Sequence, residues 1–192
     1  MFKINKEAFY KAGLCISYDK NEYCIYLKYI QIKLVDNHFE IVGASRKIIY
    51  FFKQELNEEE LKNITEEEKK FLTEGLKLEN LKIKNKKDLG DSYYEVSYFK
   101  DKDCFIFDGE NIVKYSEYYS KIDYNIKALD LIPYYNKDKE KEIKEFVKVD
   151  WKLLKICEEL GFSSIKPKLF NKGMLQFLKS EEEILLIMPM RY

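Results

Sequence analysis

Several sets of side chains in this 192-residue chain have the types and spacing to do chemistry. Asp101, Asp103, Asp108 and Glu110 crowd one short stretch. Converging at one end of a hairpin, their hard oxygen ligands would suit Mg²⁺ or Ca²⁺ and so metal-assisted hydrolysis. The same residues, with Gly109, are ordinary turn formers at strand ends, and this second reading is the one adopted: no metal site and no cofactor is expected. Acid–x–Lys tripeptides, the metal-plus-lysine pattern of many nucleases, occur at Glu60/Lys62, Glu67/Lys69, Glu68/Lys70, Glu142/Lys144 and Asp150/Lys152. All five fall where the apolar spacing is helical, and a chain with 32 lysines produces such tripeptides by chance. A metal-dependent hydrolase or nuclease therefore stands as the second alternative.

A different chemistry is offered by Lys82, Lys84, Lys86 and Lys87, followed by Tyr93, Tyr94, Tyr98 and Phe99. Cations for phosphates beside rings for base stacking suit single-stranded nucleic acid. Against this, 34 basic residues balance 34 acidic ones, and only Arg46 and Arg191 carry the guanidinium fork that reads bases and phosphates bidentately. Nucleic-acid binding is the first alternative.

The most unusual feature is tyrosine. Of sixteen, Tyr115, Tyr118, Tyr119, Tyr124, Tyr134 and Tyr135 lie within 21 residues. A ring with a hydroxyl at its tip is favoured at protein interfaces, where one end is apolar and the other meets water. Two runs of carboxylates, Glu58, Glu59, Glu60 and Glu66, Glu67, Glu68, sit at helix-start positions and could present a negative patch to a basic partner.

Other chemistries are excluded by spacing. Phosphate cradles need glycines close together, yet the seven glycines are nowhere closer than the 12 residues between Gly161 and Gly173. Zinc sites need paired Cys or His; Cys15 and Cys24 are nine apart, Cys104 and Cys157 are remote, and His38 is the only histidine. A catalytic triad would have to use His38, which the spacing places in an exposed turn after Asp36 and Asn37.

The elements that must position these groups alternate irregularly. Residues 5–12 suit a short helix ended by Gly13, with a strand over 14–18. The long stretch 23–35 reads as a strand whose alternation changes phase near Lys28, as a bulge would cause. Asp36-Asn37 turns the chain into 39–42, and 48–52 suits strand or buried helix. Asn57 with Glu60, and Thr65 with Glu68, are capping-box signals for a helical segment over 57–76. Strands are expected at 92–99, 104–107 and, after Asp108-Gly109, 112–115. Residues 137–160 read as one long helix or two, with Trp151, Leu154 and Cys157 facing inward and Gly161 as its stop; strands at 174–178 and 184–188 close the chain.

The fold class that follows is α+β: a mostly antiparallel sheet (N-terminal meander, central hairpin, C-terminal hairpin) packed with a central helical segment and a long helix near 137–160. A single domain over 1–192 is expected, with a weak lobe boundary near 88–91. Apolar residues at 46% provide a core. No apolar run approaches the length of a membrane span, no export signal precedes the first cysteine, and reduced thiols in the cytoplasm are expected. The abundance of Lys, Ile, Asn, Tyr and Phe reflects an AT-rich genome, as in a low-GC bacterium or its phages and mobile elements. These readings lead to a non-enzymatic protein that works by contact with another protein, a phage or mobile-element accessory protein or inhibitor being the favoured subtype.

Overall fold

The computed structural model describes residues 1–19, 21–22, 25–80, 93–108, 111–113, 149–170 and 174–188. Strand β1 (Phe2–Asn5) runs straight into helix α1 (Lys6–Cys15). A 3₁₀ turn (Ile25–Lys28) leads to β2 (Ile30–Val35), β3 (His38–Ala44) and β4 (Ile48–Glu55). Helices α2 (Glu58–Asn63) and α3 (Glu66–Glu74) follow, then β5 (Leu76–Leu78), β6 (Tyr93–Phe99), β7 (Cys104–Phe107), β8 (Asn111–Val113), α4 (Trp151–Glu159), β9 (Lys168–Phe170), β10 (Met174–Leu178) and β11 (Glu183–Ile187). Among the described residues the strands form two antiparallel sheets, one of seven strands in the order β5-β2-β3-β4-β11-β10-β9 and one of four in the order β1-β6-β7-β8. The architecture is α+β, with few helices on antiparallel sheets.

The N-terminal meander and the C-terminal hairpin share the larger sheet, joined where Ile184 pairs with Phe51 and Ile187 with Ile48. The central hairpin pairs instead with β1, Phe2 opposite Val96. Helix α1 is wedged between the sheets. Phe9 packs edge-on to Tyr94 and tilted on Phe107, on the four-stranded side. On the other side Gly43 lies so close to Ala12 that a Cβ there would stand 1.8 Å from the Ala12 carbonyl oxygen. One continuous core includes Phe2, Phe39, Ile41, Tyr50, Leu72, Phe105, Phe107 and Phe162.

The structure corrects several expectations. Helix α1 passes through Gly13 to Cys15, so 14–18 holds no strand. Gly13 is small because the Asn80 carboxamide lies against it: a Cβ would meet it at 2.4 Å. The phase change near Lys28 is the 3₁₀ turn, not a bulge in one long strand. The stretch over 57–76 is two helices broken at Ile64, each start closed by its own capping box. Helix α4 begins at Trp151, capped by Asp150, and buries Leu153, Cys157 and Leu160; Trp151 and Leu154, expected to face inward, stand 68% and 50% exposed. The i, i+4, i+7 spacing of the buried three sets that phase. Gly161 does stop the helix, at φ 77°. The expected helix over 137–148 and the lobe boundary at 88–91 lie outside the described residues.

Candidate functional site

The acidic helix starts are best built from their caps. Asn57 accepts the Glu60 N–H while the Glu60 carboxylate accepts the Asn57 N–H, both at 2.9 Å. Thr65 and Glu68 repeat the arrangement at 3.2 and 2.9 Å. Glu68 goes further: its side chain is 2% exposed, and Oε1 accepts the Tyr98 N–H of β6 at 3.1 Å. The expectation that Glu68 belongs to an outward patch is thereby corrected; it ties α3 to the smaller sheet. Glu67 pairs with Lys100 at 2.6 Å and Glu66 with Lys69 at 2.7 Å. Glu58 is 93% and Glu66 87% exposed, and Glu59 is exposed beside them.

Between β1 and α2 lies a cleft of about 190 Å³. Its floor is apolar, made by Phe2, Phe39, Leu56 and Ile64, all buried. Its rim carries Glu59, Glu60, Asn57, Asn63 and Lys3. Gln54 holds the β1 side of this region in place. Its Oε1 accepts the Asn5 N–H and its Nε2 donates to the Lys3 carbonyl, both at 2.9 Å, so one side chain reproduces the pairing of an absent neighbouring strand.

The acidic hairpin residues do not converge among the described residues. Asp103 and Asp108 flank opposite ends of β7, roughly 16 Å apart at ~3.3 Å per residue. Asp103 accepts the Tyr98 hydroxyl; Asp108 accepts the Glu95 N–H at 2.9 Å and pairs with Lys6 at 3.2 Å. Both adopt left-handed turn conformations, φ 48° and 50°. Glu110 lies outside the described residues, among which no three metal-binding side chains converge. His38 is no turn residue: it opens β3, is 14% exposed, and its Nε2 stands 3.9 Å from Glu40. Tyr94 is buried against Phe9 and Phe107 with Lys6 over its ring at 4.9 Å, closed to a stacking base, while Tyr93 is exposed. Lys82, Lys84, Lys86 and Lys87, and Tyr115, Tyr118, Tyr119 and Tyr124, lie outside the described residues. Three of the five acid–x–Lys tripeptides sit on α2 and α3 and Asp150/Lys152 straddles the start of α4; Glu142/Lys144 is outside the described residues.

Cys15, Cys104 and Cys157 are buried free thiols. Burial pushes the Cys157 thiol up to about 11 and raises that of Cys15 further, so neither supplies a thiolate nucleophile near neutral pH. A buried ionic cluster lies away from the cleft. Lys11 Nζ stands 2.6 Å from Glu183 and 2.7 Å from Glu7, Lys179 is 3.1 Å from Glu183, and the Tyr50 hydroxyl donates to Glu183 at 3.1 Å. No helix among the described residues is long and apolar enough to cross a membrane.

Sequence reasoning missed the exposed Trp151–Leu154 face of α4. With apolar residues at 151, 153, 154, 156 and 157, helical spacing alone allowed either face to be the buried one. The cleft was not foreseeable, because its floor comes from β1, β3 and the residues flanking α2, Leu56 and Ile64.

No family model matches the chain, and no curated protein matches it. Among solved structures, the chain is similar to DNA polymerase III subunit beta from Borrelia burgdorferi, determined in complex with a natural product, with a TM-score of 0.49 at 12% identity. That match covers 99% of this chain and 64% of the other, so the chain spans less than two thirds of its length.

Proposed function

We propose that this chain is a non-enzymatic, cytoplasmic protein-binding protein. It receives, between β1 and α2, a partner segment carrying an apolar side chain beside Lys or Arg. The observation that carries this reading is the cleft. At about 190 Å³ it falls below the ~300–1,000 Å³ of a drug-sized ligand site and suits one side chain. The apolar floor gains from covering such a side chain. Of the two lining carboxylates Glu60 is engaged in its capping box, so Glu59, with Lys3 also on the rim, supplies the charge complementarity, which favours fast and selective encounter over raw affinity. An accessory protein or inhibitor from a phage or mobile element remains the subtype that composition favours.

Nucleic acid draws less support, since Tyr94 is internal. The test is affinity capture from lysate of a low-GC bacterium, with nuclease treatment, comparing the wild type with Glu59→Lys, the exposed carboxylate on the cleft rim. A protein partner that survives nuclease and is lost at least roughly tenfold in the variant, at unchanged melting temperature, supports the reading. Capture that vanishes with nuclease, or is indifferent to the charge reversal, overturns it.

A further inference from the structure

Strand β1 is an edge of the four-stranded sheet, paired with β6 on one side only. An edge strand offers a row of N–H and C=O groups to whatever lies beside it. Which groups β1 offers follows from its ladder. Lys3 stands opposite Glu95, and both the N–H and the C=O of Glu95 are turned to Asp108 at the end of β7. In an antiparallel ladder, hydrogen-bonded and non-hydrogen-bonded pairs alternate. Lys3 and Glu95 are thus a non-hydrogen-bonded pair, and Phe2 and Ile4 carry the bonds to β6. The N–H and C=O of Lys3 face outward. So does the C=O of Met1, because across a trans peptide it points opposite to the Phe2 N–H.

Most of this edge is already closed. Gln54 bonds the Lys3 C=O and the Asn5 N–H, both at 2.9 Å, and the Met1 ammonium donates to the Asn63 C=O at 2.9 Å. Between these fastenings remain the Met1 C=O and the Lys3 N–H, to which no described residue bonds. They flank Phe2 and open on the cleft, which Met1, Phe2 and Lys3 line.

An acceptor and a donor on either side of one residue are the pattern that a parallel strand reads. A single residue of the added strand gives its N–H to the residue before its neighbour and accepts from the residue after it. Here that neighbour is Phe2. Side chains at neighbouring positions of adjacent strands project to the same face, and Phe2 is buried in the floor of the cleft. The added residue's side chain is therefore delivered onto Phe39, Leu56 and Ile64, into a space of about 190 Å³ that holds one such side chain. An antiparallel strand is matched less well: it calls on both the N–H and the C=O of Lys3, and Gln54 holds the C=O.

We propose that the partner segment enters the cleft as a short extended strand parallel to β1. One apolar residue makes both main-chain bonds: its N–H donates to the Met1 C=O, and its C=O accepts the Lys3 N–H. Its side chain seats on the apolar floor. The pairing cannot run on past Lys3, because the Gln54 side chain occupies the next position along the edge. In strand addition of this kind, main-chain bonds supply affinity and the pocket supplies specificity. This deepens the protein-binding reading and rests on it.

The test is isothermal titration of the full chain with acetylated and amidated peptides Ser-Lys-X-Lys-Ser, in which X is Leu, Val or Phe. Two changes delete the main-chain bonds without touching the floor. N-methylation of X removes the donor to Met1. Lys3→Pro removes the acceptor's partner, at a place where an edge strand tolerates proline because the N–H faces outward. Lys3→Ala keeps that N–H and controls for the lysine side chain. Melting temperatures verify folding. A peptide of the series is expected to bind the wild type, and each of the two changes should weaken its binding at least roughly tenfold. Lys3→Ala should stay within roughly threefold of wild type. Binding that is indifferent to N-methylation overturns the proposal, even where Lys3→Pro fails to fold. If binding is lost in Glu59→Lys yet survives N-methylation, the cleft takes a partner's side chain without strand pairing and this inference alone falls. If no peptide of the series binds the wild type, both readings fall.

Discussion

Two residues with no chemistry of their own carry much of the architecture. Gly43 lets the backbone of α1 approach β3 at Ala12, and a Cβ 1.8 Å from a backbone oxygen cannot be relieved by a rotamer change. Gly43→Ala must therefore push α1 away from the sheet. Overpacking of this kind costs ~1–3 kcal/mol, occasionally more, and the upper end is expected here. In a chain of this size that is a fall of roughly 6–12 °C in melting temperature. A melting temperature within 2 °C of wild type, on the order of a neutral change, would refute the close approach. Gln54 is the second. Gln54→Leu leaves the Asn5 N–H and the Lys3 carbonyl without their partner; both are only partly buried and can turn to water, so the cost is expected near ~1 kcal/mol for each. Gln54→Glu can still accept from Asn5 but cannot donate to Lys3, so its melting temperature should fall between wild type and Gln54→Leu. Neither role was legible in the sequence. A glycine without neighbours of its kind and a glutamine in a strand acquire meaning only when a partner from another element arrives.

At the scale of elements, what depends on local chemistry was readable. The capping boxes of α2 and α3 form as the Asn57/Glu60 and Thr65/Glu68 spacings indicate. The tight turn at Asp36-Asn37 joins β2 to β3, with Asp36 at φ 50°. What depends on phase between elements was not readable. Helix α4 shows this: in a helix with apolar residues at 151, 153, 154, 156 and 157, either of two faces satisfies helical spacing, and the choice is made by what the helix packs on. Here the buried side is Leu153, Cys157 and Leu160. Leu153→Ala is accordingly expected to cost ~2–5 kcal/mol, while Trp151→Ala should leave stability within ~0.5 kcal/mol. Chemical denaturation of the two variants reads this directly, and a reversed order would restore the inward-facing assignment of Trp151. Glu68 shows the other side. Its position in a capping box was predictable, but its second bond to Tyr98 of β6 was not. Glu68→Ala should cost more than Glu60→Ala, because it removes the cap and also leaves a strand N–H unpaired in a partly buried place.

Across the whole molecule, the chain is fastened by contacts between distant stretches. β1 closes on β6 and β4 on β11, and the Lys11–Glu183 pair spans 172 positions of sequence. The alternation of apolar residues marked most of these strands but could not say which would be neighbours, since pairing depends on complementary faces that exist only after folding. The Lys11–Glu183 pair gives the molecule a definite pH response. Burial pushes the Glu183 carboxyl up, but hydrogen bonds and charge from Lys11 and Lys179 outweigh it and hold the group below its ordinary value. Burial likewise pushes Lys11 down, and Glu183 and Glu7 more than restore it, leaving it raised. A lowered carboxyl contributes stability that is present above the unfolded value of ~4.3 and lost as pH falls through the folded one; a raised ammonium contributes stability that is present below ~10.4 and lost as pH rises through the folded one. The pair should thus give a stability plateau between roughly pH 5 and 10, falling on both sides. Glu183→Gln removes the carboxylate and leaves Lys11, 5% exposed, without its main counter-charge, at ~3–5 kcal/mol. The double replacement Lys11→Met/Glu183→Leu should recover most of that loss, because it removes both desolvated charges at once. It should also flatten the acid and alkaline limbs of the plateau. Denaturant unfolding of wild type, single and double variants at about pH 3, 7 and 11, on either side of the plateau and on it, tests this. If the double variant proves as unstable as Glu183→Gln, the cluster contributes through packing and through the Tyr50 hydrogen bond, not through its paired charges.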